Sequence, residues 1–105
     1  MRITITARHC DIPDALRARA RAQLERLARI ATRPHDGNVV FVADNGRPMV
    51  EVRLHTVRGA VLVGRARAAD HRSALDQAAA KVRRQLDKAP TRRHAAARRT
   101  APSRS

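Results

Sequence analysis

The stretch SALDQAAAKVRRQLDK, residues 73–88, decides the fold, because on a helix its apolar side chains and its basic side chains lie on opposite sides. At about 100° per residue, an apolar stripe lies within about 40° of Val82. The other members of the stripe are Leu75, Ala78 and Leu86. The opposite side contains no acid and carries Gln77, Lys81, Arg84 and Lys88. The stretch therefore predicts a helix with one buried side and one side of uncompensated positive charge.

The two acids of this helix are placed to pair within it. Asp76 follows Arg72 by four positions, and Asp87 follows Arg83 by four. Side chains four residues apart are neighbours on a helix, so these pairs can satisfy both carboxylates. We therefore expect neither acid to neutralise the basic side.

The charge of the whole chain points to a polyanionic partner. Its 105 residues suffice for one small domain and carry 23 basic against 9 acidic side chains. Removing the five arginines of residues 89–105 leaves 18 basic side chains against the same nine acids. A domain with this excess repels itself unless it meets a polyanion, most commonly nucleic acid. No run of about 18 apolar residues is present, so we expect no membrane partner.

Cysteine and histidine usage argues against an enzyme. A single cysteine, Cys10, excludes an internal disulfide, and with no signal peptide at the start we expect a cytoplasmic protein. His9 and Cys10 are adjacent on an extended segment and point in opposite directions, so they do not form a nucleophile with its base. The five histidines share no metal-ligand spacing. We expect no metal, no cofactor and no small-molecule substrate.

The rest of the chain predicts one further helix and four strands. Residues 2–8 alternate with period two, as does a half-buried strand. Apolar residues at helical spacing predict a helix over 13–31, which Pro34 and Gly37 should end. Three more strands are predicted over residues 38–43, 49–57 and 60–68.

Turn and cap signals connect these elements. Asn45-Gly46 tolerates the positive φ angles of a tight hairpin turn, and Arg58-Gly59 is a second turn signal. Asp70 can cap the final helix. The order β-α-β-β-β-α predicts an α+β fold with two helices packed on one face of a four-stranded sheet. We expect this domain to span residues 1–89 and residues 90–105 to form a disordered basic tail.

Both predicted helices resemble those of the ribosome hibernation-promoting factor family, also called ribosome-associated inhibitor or sigma-54 modulation protein. The first resembling segment is DIPDALRARARAQLERLARI, residues 11–30, and the second is ALDQAAAKVRRQLDK, residues 74–88. The second fits the family pattern A-I-D-x-x-x-D-K-L-x-R-Q-L-x-K, and Asp70 fits the acidic residue that usually precedes it. The opening strand and the order of elements also agree, over about residues 1–90.

The resemblance implies a bacterial, non-enzymatic protein that binds the small ribosomal subunit at the decoding centre. Its partners would be ribosomal RNA and ribosomal proteins, at the place where messenger and transfer RNA would sit. Translation would be silenced under stress and in stationary phase. Few residues follow the domain, so we expect a short form or a stand-alone N-terminal module, with no C-terminal dimerisation domain.

We assign phosphate contacts first to the basic side of the last helix. Its Lys81, Arg84 and Lys88 would neutralise backbone charge and position the domain without reading bases. The other candidate RNA-binding residues are Gln77, Arg83, Arg65, Arg67 and Arg92. An open sheet face is expected to carry Arg2, Arg53, His55, Arg65 and Arg67.

Two other functions remain open from the residues alone. The order α-β-β-β-α after the first strand is also that of double-stranded RNA-binding domains, which suggests a general RNA- or DNA-binding module. A small nuclease would need a cluster of acids, bases or metal ligands, and the sequence suggests none.

Overall fold

The computed structural model describes residues 1–56 and 60–88. In chain order the elements are β1 (Arg2–Arg8), α1 (Asp14–Ile30), β2 (Pro34–Asp44), β3 (Arg47–Thr56), β4 (Val61–Arg67) and α2 (His71–Lys88). The predicted α+β order is therefore confirmed, and each predicted element is present. The turn at Arg58-Gly59 and the tail after Lys88 lie outside the described residues.

The four strands form one mixed sheet in the order β1-β2-β3-β4. β1 and β2 are parallel, and α1 makes the crossover between them. β2 pairs antiparallel with β3, and β3 pairs antiparallel with β4. Asn45 and Gly46 have φ angles of 54° and 77° between the paired residues Asp44 and Arg47, which confirms the predicted hairpin turn.

The core lies between the two helices and one face of the sheet. Its largest fully buried side chains are Phe41, Leu24, Leu54, Leu75, Val39, Val50, Val52 and Val82. Much of the remainder is alanine, including Ala74, Ala78 and Ala79 of α2. Alanine buries little apolar area, so α2 approaches the sheet closely and gains only modest hydrophobic stabilisation from this contact.

The first helix ends within one residue of the prediction, but the roles predicted for Pro34 and Gly37 were wrong. α1 ends at Ile30, and Pro34 and Gly37 lie within β2, which begins four residues before the predicted strand. Pro34 is accommodated at the start of the strand, beside a register shift between Pro34 and Asp36. Gly37 is buried in the strand, where a Cβ atom would lie 3.1 Å from the Leu24 methyl groups. The glycine thus makes room for α1 and does not terminate it.

Candidate nucleic-acid interface

The start of α2 is held by a side-chain cap. The Ser73 amide donates a hydrogen bond of 2.7 Å to Oδ1 of Asp70. This bond satisfies one of the amide groups left free at a helix N-terminus, and it holds the pKa of the Asp70 carboxyl below its usual range. The predicted cap is confirmed, and α2 begins at His71, two residues before the predicted stretch.

The basic ridge of α2 consists of Gln77, Lys81, Arg84 and Lys88. All four side chains are exposed. Within the described residues, no carboxylate lies within 4.0 Å of the charged groups of Lys81, Arg84 or Lys88. The ridge therefore presents three positive charges that the folded domain does not neutralise.

The other charges of α2 are satisfied in two different ways. Arg83 Nε lies 3.4 Å from Oδ1 of Asp87, as the spacing of four residues predicted. Asp76 instead pairs with α1: Arg19 donates bonds of 3.0 and 2.8 Å to its two oxygens, and Gln23 Nε2 adds one of 3.0 Å.

The predicted pairing of Asp76 with Arg72 was therefore wrong in its principal partner. Arg19, on the neighbouring helix, donates a hydrogen bond to each oxygen of the carboxylate. Such bidentate pairs between arginine and a carboxylate are strong and geometrically specific. The Arg19 bond holds the pKa of Asp76 below its usual range. It also joins α1 to α2 on the side away from the ridge.

Gly64 of β4 sets how closely α2 approaches the sheet. A Cβ atom at this position would lie 2.2 Å from the Ala78 carbonyl oxygen and 3.1 Å from Lys81 Cβ. The helix backbone therefore rests almost directly on the strand. This contact brings Lys81 to the outer edge of β4, where its Nζ donates a hydrogen bond of 2.6 Å to the Arg65 carbonyl oxygen.

The sheet face away from the helices carries a second group of basic side chains. The pairing register puts the predicted residues Arg2, Arg53, His55, Arg65 and Arg67 on this one face. Their shared position is confirmed, and their contact with RNA stays a prediction. Arg65 borders the basic ridge directly, because Lys81 reaches its carbonyl oxygen.

Acids on the open sheet face compensate several of these arginines. Glu51 accepts bonds from Arg53 and Arg65, and its pKa is lowered, chiefly by the Arg53 bond. Arg67 bonds to Asp44. Arg65 and Arg67 are therefore partly neutralised where Arg84 and Lys88 are not. The sequence did not indicate this difference, because Glu51 and Asp44 meet these arginines only through the strand register.

Two important residues had not been assigned a role from the sequence. Gln85 exchanges two hydrogen bonds with the backbone of Val63, and Gly64 admits the helix backbone. Gln85 lies about 60° from Val82 on the helix, at the flank of the apolar stripe. That flanking position and the match of Gln85 to the family pattern were the signals for this residue in the sequence.

Three remaining expectations from the sequence concern Arg92, a metal site and Cys10. Arg92 lies beyond the described residues. Over residues 1–56 and 60–88, no three His, Cys, Asp or Glu side chains are grouped so that they could hold a metal ion. Cys10 is half-buried and its thiol lies 3.6 Å from the Phe41 carbonyl oxygen. Neither helix is long and apolar enough to cross a bilayer.

Two solved structures share this fold. A ribosomal subunit interface protein from Coxiella burnetii aligns with a TM-score of 0.71 and 23% identity, over 84% of this chain and 96% of the other. The N-terminal domain of Thermus thermophilus Protein Y gives the same TM-score and identity, over 84% and 98% of the two chains. At this identity the likeness establishes the fold alone.

The family relationship comes from the sequence profile. No curated protein matches this chain. The profile of the family described as sigma 54 modulation protein / S30EA ribosomal protein matches residues 3–94, which include every helix and strand described above except the first residue of β1. The chain therefore belongs to the sigma 54 modulation protein / S30EA ribosomal protein family.

Proposed function

We propose that this protein is a ribosome hibernation factor. It binds ribosomal RNA and ribosomal proteins at the decoding centre of the small subunit and blocks messenger and transfer RNA, silencing translation under stress. The mechanism is steric occlusion with electrostatic anchoring, and it requires no chemical step. The observation that carries the proposal is the basic ridge, whose three cations have no carboxylate partner within the described residues.

The ridge has the geometry of a phosphate-binding surface. Side chains three and four residues apart on a helix are separated by about 5–6 Å, close to the phosphate spacing of a single strand. Arg84 can bind a phosphate with two parallel hydrogen bonds, and Lys88 supplies a point charge. Lys81 has three N–H groups and uses one on Arg65, so two remain for RNA.

Arg65 and Arg67 extend the ridge, but their contact with RNA is less favourable. Each must give up its bond to a carboxylate in order to bind a phosphate oxygen. At Arg65 the exchange is mild, because Glu51 keeps its bond to Arg53. We therefore assign Arg65 and Arg67 supporting roles, and Arg83 likewise, since it must leave Asp87.

The family name and the name of one structural neighbour support a ribosomal partner. The family description includes a ribosomal protein, and one neighbour is a ribosomal subunit interface protein. This chain spans nearly the whole of both neighbouring chains.

The test removes the ridge charges and keeps a polar side chain at each of the three positions. In the variant Lys81→Gln, Arg84→Gln and Lys88→Gln, each charged hydrogen bond that is removed should weaken binding to purified small subunits by about 1.5–3 kcal/mol. The plot of log affinity against log salt should become shallower by roughly 2–3, because three phosphates are no longer neutralised. Sedimentation through sucrose gradients at several salt concentrations measures both quantities.

A matched control removes the same charge from α1. Arg21, Arg26 and Arg29 are exposed and have no ion pair in the described part of the chain. Their change to Gln should leave the salt slope near the wild-type value. Equal losses in the two triple variants would contradict a role for the ridge. Equal affinity of the wild-type protein for small subunits and for any RNA or DNA duplex would support a general nucleic-acid-binding module instead.

A further inference from the structure

The outer edge of β4 is closed by two side chains of α2. Gln85 Nε2 donates a hydrogen bond of 2.6 Å to the Val63 carbonyl oxygen, and Gln85 Oε1 accepts one of 3.3 Å from the Val63 amide. One helical turn earlier, Lys81 Nζ donates to the Arg65 carbonyl oxygen at 2.6 Å. β4 is the last strand of the described sheet, so no neighbouring strand serves these groups. We call these three bonds the edge clasp.

The edge clasp adds directional contacts to a helix interface that is otherwise apolar. Ala78 and Val82 lie against Gly64, and Ala74, Leu75 and Ala79 of the same helix are also buried. Apolar attraction is not directional, so this packing constrains the rotation and sliding of the helix less sharply than hydrogen bonds do. Hydrogen bonds are directional. The two bonds of Gln85 to a single residue therefore define one register of α2 along the strand.

We propose that Gln85 is a positioning residue for the basic ridge. By binding both backbone groups of Val63, it fixes the rotation of α2 and thereby the directions in which Lys81, Arg84 and Lys88 leave the domain. Gln85 itself needs no contact with RNA. The proposal rests on the function proposed above, and it adds that an uncharged side chain at the sheet edge sets the strength of the electrostatic anchoring.

The edge clasp has a second consequence for association. An exposed edge strand presents unpaired N–H and C=O groups to which another chain can add a strand. Gln85 occupies the Val63 groups as a neighbouring peptide would. The same residue that positions the ridge thus prevents strand addition at the middle of β4.

The test substitutes Gln85→Met, which keeps side-chain length and helix propensity and removes both hydrogen bonds. The matched control is Gln23→Met, which removes the bond to Asp76 on the opposite side of α2. In the free protein, amide hydrogen exchange at Val63 should accelerate by about 2–10-fold in Gln85→Met, the factor equivalent to the removal of one bond. Exchange at Gly64, whose amide faces β3, should remain near wild type in this variant, as should exchange at Val63 in Gln23→Met.

Binding to small subunits supplies the readout of positioning. Gln85→Met removes no charge, yet its salt slope should become shallower by roughly 0.7–0.9 for each phosphate that the ridge no longer reaches. Simple destabilisation would reduce the active fraction and leave the slope unchanged. Gln23→Met should retain the wild-type slope.

Each result decides one part of the proposal. Unchanged Val63 exchange in Gln85→Met would show that the edge clasp does not protect this strand and would overturn the proposal. Faster exchange with a wild-type salt slope would overturn the positioning role. If wild-type protein does not bind small subunits, the proposed function fails and the positioning role with it, while the exchange measurement still decides whether the edge clasp exists.

Discussion

Replacing Gly64 with alanine tests how strongly the close packing of α2 on β4 depends on the absence of a side chain at this position. The new Cβ atom would lie 2.2 Å from the Ala78 carbonyl oxygen, and 3.1 Å from both Lys81 Cβ and Val82 Cγ2. The nearest of these atoms belongs to a helix backbone and cannot move alone. The whole of α2 must shift outward, or β4 must bend away.

The magnitude follows from two opposing effects. Overpacking a tight interior typically costs about 1–3 kcal/mol. Replacing glycine by alanine also reduces the freedom of the unfolded chain, which returns about 0.4–1 kcal/mol. We therefore expect Gly64→Ala to lower the free energy of unfolding by about 1–2 kcal/mol, since the clash dominates. For a domain of this size, that corresponds to a fall in Tm of roughly 4–16 °C.

Gly37→Ala is the matched control, since Gly37 also lies in a strand and faces the core. Its Cβ would meet only the Leu24 methyl groups, at 3.1 Å, and these ends of a flexible side chain can move by a few tenths of an ångström. The stability of this variant should stay within about 0.5 kcal/mol of wild type. The small cost of moving the Leu24 methyl groups nearly cancels the gain from the reduced freedom of the unfolded chain. Urea unfolding followed by circular dichroism measures both variants. Equal stabilities of Gly64→Ala and Gly37→Ala would refute the account of a backbone clash.

Two further predictions concern the carboxylates that hold the helices. The lowered pKa of Asp76 means that its bond to Arg19 contributes stability above the unfolded pKa of about 4, and that this stability is lost as pH falls through the lower folded value. Asp76→Asn should therefore lose less stability than wild type on acidification below about pH 4. Urea titrations at a series of pH values measure this loss. Parallel plots of unfolding free energy against pH for the two proteins would contradict a contribution from the bond between Asp76 and Arg19. Asp70→Ala should lower the free energy of unfolding by removing the cap on the Ser73 amide, whereas Asp70→Asn should retain most of it. Thermal unfolding of the two variants checks this, and equal Tm values would refute a capping role.

Local patterns in the sequence were sufficient for the elements of this fold. Period-two alternation placed β1 at residues 2–8, and the separation of charge from apolar residues placed α2 to within two residues at its start. Asn45-Gly46 predicted the hairpin because positive φ angles are a property of those two residues themselves. Pro34 and Gly37 were misjudged, since Pro34 pairs with Thr56 and Gly37 packs against Leu24, and both partners are distant in the sequence.

The candidate site divides in the same way. The basic side of α2 follows from helical periodicity, so Lys81, Arg84 and Lys88 could be chosen from the sequence. Whether an arginine is compensated depends on which acid the fold brings beside it. Glu51 reaches Arg65 only across paired strands, and Asp76 leaves its own helix for Arg19.

The sequence by itself determined the order of elements, the turn between β2 and β3, and the existence of a basic side on α2. These features depend on residues that are neighbours along the chain, where backbone geometry alone sets the spacing. The tertiary structure decided where the ridge points. Gly64 sets the depth of α2 and Gln85 its register on β4, through contacts between residues that are distant along the chain, whose distances only the folded chain defines.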